Sequence, residues 1–231
     1  MANMLGSEIL DRAGIILQDT TNIRWPTDEL LDWLNDGQRE IVLRKPDSYT
    51  KSESVSLTAS ETKQNLPSGG IQLIDVVRNM GIGAPGATPG RAITRTERYI
   101  LDSQRPDWNT ETGSDASKHY MFDERNPKVF YVYPPQSATP GSVEIVYSAA
   151  PDALATSAAS ITLDDIYASA LLDYVLYRAY SKDADIAPSA PQRAVGHYEA
   201  FLKSLGAQEE GESRYDPNAP KLSETPGVHR G

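Results

Sequence analysis

Gly81-Ile82-Gly83-Ala84-Pro85-Gly86 has the G-x-G-x-x-G spacing that lets a backbone approach a pyrophosphate. That chemistry needs a helix opening straight after the glycines, with its N-terminus toward the phosphate. Pro85, Pro89 and Gly90 crowd that place, and the surrounding chain does not alternate strand with helix. The segment reads as a hairpin loop, not a cofactor loop. Asp164 and Asp165 are of the type that ligates a metal, and Asp183 and Asp185 of the type that shares acid and base roles. The first pair falls in the opening turn of a predicted helix, where the helix dipole accounts for acids. The second follows a predicted helix end and reads as a solvated loop. His119, His197 and His229 are the only histidines. His119 reads as a hydrogen-bonded or surface residue of a β-rich lobe, and His197 as a packing or surface residue. Cysteine is absent, which removes disulfides, thiolate metal sites and a thiol nucleophile. Neither a G-x-S-x-G elbow nor a G-x-x-x-x-G-K-[ST] loop occurs. Phe130-Tyr131-Val132-Tyr133, with Tyr120 and Tyr147, could form a stacking or sugar-binding platform. The plainer reading is strand core, with any exposed tyrosine marking a protein interface. The expectation is therefore no catalytic residue, no metal site, no cofactor and no enzyme.

Charge narrows the partners. Twenty-two Lys and Arg stand against 32 Asp and Glu, a net charge of −10. A protein that grips nucleic acid usually presents a basic patch, so direct DNA binding is disfavoured. No run approaches the roughly 18 apolar residues of a membrane span; the most apolar stretch, 166–180, is broken by Asp173 and Arg178. The opening Met1 to Glu8 lacks a basic start and a long apolar run, so no signal peptide is expected. The missing cysteine fits assembly in a reducing cytoplasm.

Four helices are predicted. The first, about 4–18, repeats Leu5, Ile9, Ala13 and Ile16 at helical spacing. The second, about 28–44, has Thr27 as N-cap, Asp28 and Glu29 in its first turn, and Pro46 as its stop. Leu30, Leu31, Leu34, Gln38, Ile41 and Val42 mark its broad buried face. The third, about 163–181, is capped by Thr162 and apolar nearly all round, as expected of a helix buried in a core or between subunits. The fourth, about 190–205, opens on a capping box at Ser189-Ala190-Pro191-Gln192 and ends at Gly206. Val195, Tyr198, Leu202 and Leu205 form its stripe. Between the helical segments, 54–58, 71–77, 128–133 and 143–147 read as strands. Asp123 to Pro127 turns a hairpin joining 119–122 to 129–133. Thr94 and Glu97 form a capping box for a short helix over 98–102. The fold class is α+β. Residues 1–51 and 152–210 form a bundle of about four helices, 52–151 an inserted β-rich lobe, and 211–231 an extended C-terminal arm that cannot bury enough surface to fold alone.

Some stretches carry a family resemblance. Leu17-Gln18-Asp19, then Ile23-Arg24-Trp25-Pro26-Thr27-Asp28-Glu29-Leu30-Leu31-Asp32-Trp33-Leu34-Asn35-Asp36-Gly37-Gln38-Arg39-Glu40-Ile41, resembles the opening of the head-to-tail adaptor (connector) proteins found beneath the portal of short-tailed phages and their relatives. Pro106-Asp107-Trp108, His119 to Asp123, Asn126 to Pro135 and Val143 to Pro151 resemble the middle of that family. The resemblance implies a structural virion protein at the head-tail junction, assembled in the host cytoplasm. It implies a homo-oligomer, a dodecameric ring, docked on the portal protein with a tail tube or nozzle protein below. Genomic DNA would pass through without specific binding. A C-terminal arm would enter the portal, with Tyr215, Leu222 and Val228 as its anchors here. The alternative is a carbohydrate- or receptor-binding tail module that uses the lobe's tyrosines.

Overall fold

The computed structural model describes residues 3–82 and 88–215. Among the described residues five α-helices and two sheets make a mixed α and β fold. The chain divides into two compact units, one of residues 1–5 and 35–165, the other of residues 6–34 and 166–231.

The first unit is built on β1 (Thr50–Ser56), β3 (Gly70–Ile82) and β7 (Gly141–Ala149). β7 lies between the other two, antiparallel to both. Its central place explains why nearly every residue of it is buried, as expected of a strand covered on both sides. A second sheet runs β2 (Lys63–Asn65), β6 (Val129–Tyr133), β5 (His119–Phe122) and β4 (Thr94–Arg95). The predicted hairpin is there: Met121 stands opposite Tyr131 and Phe122 opposite Phe130. Val143, Ile145 and Tyr147 of one sheet share a core with Tyr120, Phe130 and Val132 of the other. Each such side chain contributes about 1.5–3 kcal/mol by leaving water. α3 (Arg98–Gln104) covers a smaller cluster of Leu101, Trp108, Met121 and Tyr133. The expected Thr94–Glu97 box is not formed: Glu97 makes no side-chain cap, and the Thr94 hydroxyl bonds His119 Nδ1 at 2.6 Å.

Buried amides staple the loops of this unit. Asn35 meets both backbone groups of Leu154, accepting its N–H at 2.8 Å and donating to its carbonyl at 3.1 Å. Gln38 accepts the Thr162 N–H at 2.7 Å. Asn79 donates to the carbonyls of Arg91 and Ser117 and accepts the Ser117 N–H. A loop cannot enter a core with its peptide groups unpaired, and these side chains supply the missing partners. Thr162 is a client of this arrangement, not the helix cap expected of it: its hydroxyl donates to the Asp152 carbonyl.

The second unit contains α1 (Gly6–Leu17), the start of α2 (Thr27–Arg44), α4 (Ala168–Lys182) and α5 (Ala190–Tyr215). The Leu30 N–H bonds the Pro26 carbonyl, so α2 opens on Thr27 itself and its cap falls on Pro26, one residue before the expected one. α4 packs on α5 and α1. Tyr174 meets Phe201 edge-on at 5.3 Å, and Tyr177 lies 4.8 Å from Tyr198. Such pairs add about 0.5–1.5 kcal/mol beyond area burial.

Several expectations change phase or length. On α1 the buried face is Ile9, Leu10, Ala13 and Leu17, while Leu5 and Ile16 are exposed. On α5 it is Ala190, Ala194, Phe201 and Leu205, and Val195 is 57% exposed. Small alanines, not the branched valine, allow the close approach to α4. α5 also runs through Gly206 to Tyr215. A glycine costs only about 1 kcal/mol in a helix interior, and Ala207-Gln208-Glu209-Glu210 are helix formers that offset it. Ile166 sits not in α4 but in a preceding 3-10 turn, Asp165–Tyr167.

Candidate interaction surface

Most of the side chains with catalytic potential are held in structural contacts. Asp165 accepts the Met4 N–H. Asp183 is buried rather than solvated, because Arg24 pairs with it at 2.9 Å; Asp185 is exposed. His119 bonds Thr94 and stacks on Tyr133. His197 Nδ1 lies 2.9 Å from Asp173, with its ring stacked on Tyr180. Residues 83–87 of the glycine-rich loop, and His229, lie outside the described residues. Among the described residues no group of three or more His, Asp or Glu side chains could hold a metal ion.

The lobe's tyrosines do not make an exposed platform. Tyr120, Tyr133 and Tyr147 are buried, and each hydroxyl donates to a carboxylate: Asp75 at 2.8 Å, Glu111 at 2.9 Å and Glu53 at 2.7 Å. Burial, followed by the bonded carboxylate, pushes Tyr120 and Tyr147 up to about 12. Tyr133 is raised for the same reasons, and its Arg105 neighbour is raised chiefly by Tyr133, then by Glu111. These pairs lock the sheets.

The second unit carries most of the exposed large apolar residues. Asp19 positions one of them, Ile23. Its carboxylate accepts the N–H groups of Ile23, Arg24 and Trp25 at 3.1, 2.8 and 3.0 Å. Those bonds, Trp25's foremost, hold its carboxyl below the usual carboxylate range. Asn22, at φ 53°, donates to the Thr27 hydroxyl. The loop so fixed presents Ile23 with 83% of its surface in water. Beside it lies a groove of about 270 Å³ lined by Ile16, Gln18, Arg24, Trp25, Tyr180 and Arg193, among others. Trp25 is buried, yet its indole N–H has no acceptor among the described residues. Sequence reading missed this site. The available signal was an aspartate four to six residues before an Ile-Arg-Trp-Pro run, the spacing of a carboxylate-capped loop.

Of the expected arm anchors, Tyr215 closes α5, and Leu222 and Val228 lie outside the described residues.

Residues 4–221 match the model of the SU10 adaptor protein family. The chain belongs to that family. Membership makes it a phage structural adaptor protein, as the resemblance implied. The SU10 adaptor match spans both units and includes Tyr215, but it stops before Leu222 and Val228. No curated protein matches the chain. Among the described residues no helix is long and apolar enough to cross a membrane.

Proposed function

We infer that this SU10 adaptor chain is the subunit of a ring that joins the portal to the tail of a phage and forms part of the DNA channel. The family match over residues 4–221 is the observation that carries the reading. In this reading the helical segments 1–51 and 152–210 pack subunit against subunit, and the β-rich lobe 52–151 faces the tail tube or nozzle. The arm 211–231, through Tyr215, Leu222 and Val228, engages the portal. Twelve copies make the ring, and many weak contacts repeated around it give avidity that a single contact lacks. The net charge of −10 suits a conduit, since acidic walls repel phosphate over about 8–10 Å.

A chain lacking residues 211–231 tests this. It should lose only the last turn of α5, keep a cooperative unfolding transition near the wild-type Tm, and lose binding to the portal protein of its phage. Normal portal binding by that truncation would refute the arm's role. The tail-module alternative rests on exposed tyrosines; Tyr120, Tyr133 and Tyr147 are buried, which leaves it the half-buried Tyr131.

A further inference from the structure

We propose that successive copies of this chain join head to tail: an acidic, apolar turn at the start of α4 in one copy enters the groove at the end of α4 in the next. This rests on the ring reading and names the two surfaces it needs.

The groove asks for a particular visitor. Ile16 lines it, and Ile23 lines an adjoining cavity that shares Leu17, Gln18, Arg24 and Trp25; they are 45% and 83% exposed. Single exposed apolar residues are ordinary, but two on adjoining concavities make a patch. The loop that carries Ile23 is already fixed by Asp19, so docking costs little further ordering. Arg24 is spent on Asp183. Arg193 lies over the Tyr180 ring at 5.6 Å and has no carboxylate partner among the described residues. An apolar side chain with an acid beside it satisfies both rim and cation.

The same chain presents that combination elsewhere. Ile166 is 57% exposed and follows Asp164 and Asp165, which are also exposed. This turn precedes α4, whereas Tyr180 and Asp183 of the groove stand at its far end. Fifteen helical residues separate them by about 22 Å. Plug and groove are thus different surfaces of one molecule. A contact between unlike surfaces repeats in one direction and closes into a ring when its rotation divides a full turn, whereas a self-complementary patch stops at a two-fold dimer. Charge points the same way: copies carrying −10 each repel in general, so their contact must set acid against base.

Two full-length variants test the geometry. Ile166→Glu breaks the plug and leaves the groove; Ile23→Glu does the reverse. Both sites are exposed, so each variant should melt as the wild type does. In sedimentation velocity the wild type should self-associate, and each variant alone should associate at least about tenfold more weakly. An equimolar mixture should form a heterodimer and nothing larger, because only one intact plug and one intact groove remain. Arg193→Glu should weaken the same contact, and adding Asp164→Arg should restore it. The proposal is overturned if either single variant associates like the wild type, if the mixture stays monomeric, or if the charge exchange does not rescue. It is also overturned if the wild type remains monomeric both at high concentration and on the portal protein. Portal binding is scored separately. Should the wild type fail to bind the portal while the mixture pairs as described, the adaptor reading falls and the head-to-tail contact stands.

Discussion

Replacing Asn35 by alanine should destabilise the first unit through the peptide groups it abandons rather than through lost packing. Asn35 is 7% exposed and pairs with both backbone groups of Leu154, at 2.8 and 3.1 Å. The structure therefore loses two hydrogen bonds and leaves a buried N–H and a buried carbonyl without partners. Each stranded group costs about 1–3 kcal/mol, so the N–H and the carbonyl together give a loss of about 2–6 kcal/mol. Against a total stability of about 5–15 kcal/mol, that loss is easily measured. In a chain of this size it lowers the Tm by roughly 4–24 °C. Guanidinium unfolding followed by circular dichroism measures the free energy, with Asp32→Ala on the exposed side of α2 as a control expected within about 0.5 kcal/mol of wild type. Asn35→Leu separates the two causes. It restores volume but no hydrogen bond, so it should be nearly as harmful as alanine. Wild-type stability in Asn35→Leu would refute the reasoning.

Other outcomes follow from the same geometry. Asp19 has a lowered carboxyl pKa, so its contribution is present above the ordinary value of about 3.9 and is lost as pH falls through the lowered one. Amide exchange at Ile23, Arg24 and Trp25 should rise there, and in Asp19→Ala it should be fast at neutral pH. Tyr120 and Tyr147 are raised to about 12, so the fold favours their neutral forms; that stabilisation is complete below about pH 10 and is lost as pH climbs through about 12. Tyrosinate absorbance should show two late-titrating groups that revert to ordinary values in the unfolded chain. A Cβ on Gly113 would come within 2.5 Å of the Gln136 carbonyl oxygen, so Gly113→Ala should cost about 1–3 kcal/mol in the same unfolding assay.

Local pattern was legible and long-range pairing was not. The apolar spacing of α2 with its acidic first turn, and the β5–β6 hairpin with its polar turn, are decided by residues a few positions apart, and both formed as read. β2 and β4, of three and two residues, carry no period of their own; β6 and β5 induce them by offering an edge. The sequence does not show that β7 pairs with β1, some ninety residues earlier. Helix phase also slipped where a small residue replaced a large one at the interface. Ala194 faces the core although Val195 is the more apolar neighbour, because the separation of α4 and α5 selects side chains by volume.

By itself the sequence determined the mixed α and β class and the scarcity of reactive groups, since composition and short-range spacing carry both, while the kinship with phage adaptors lay in the resemblance of whole stretches. Tertiary structure alone decided what the polar residues are for. Asn35, Gln38 and Asn79 become staples, Asp183 becomes a buried partner for Arg24, and the tyrosines become locks. A polar side chain has no preferred partner until folding removes water and leaves one acceptor or donor within reach, and that choice is made by residues far away in the chain.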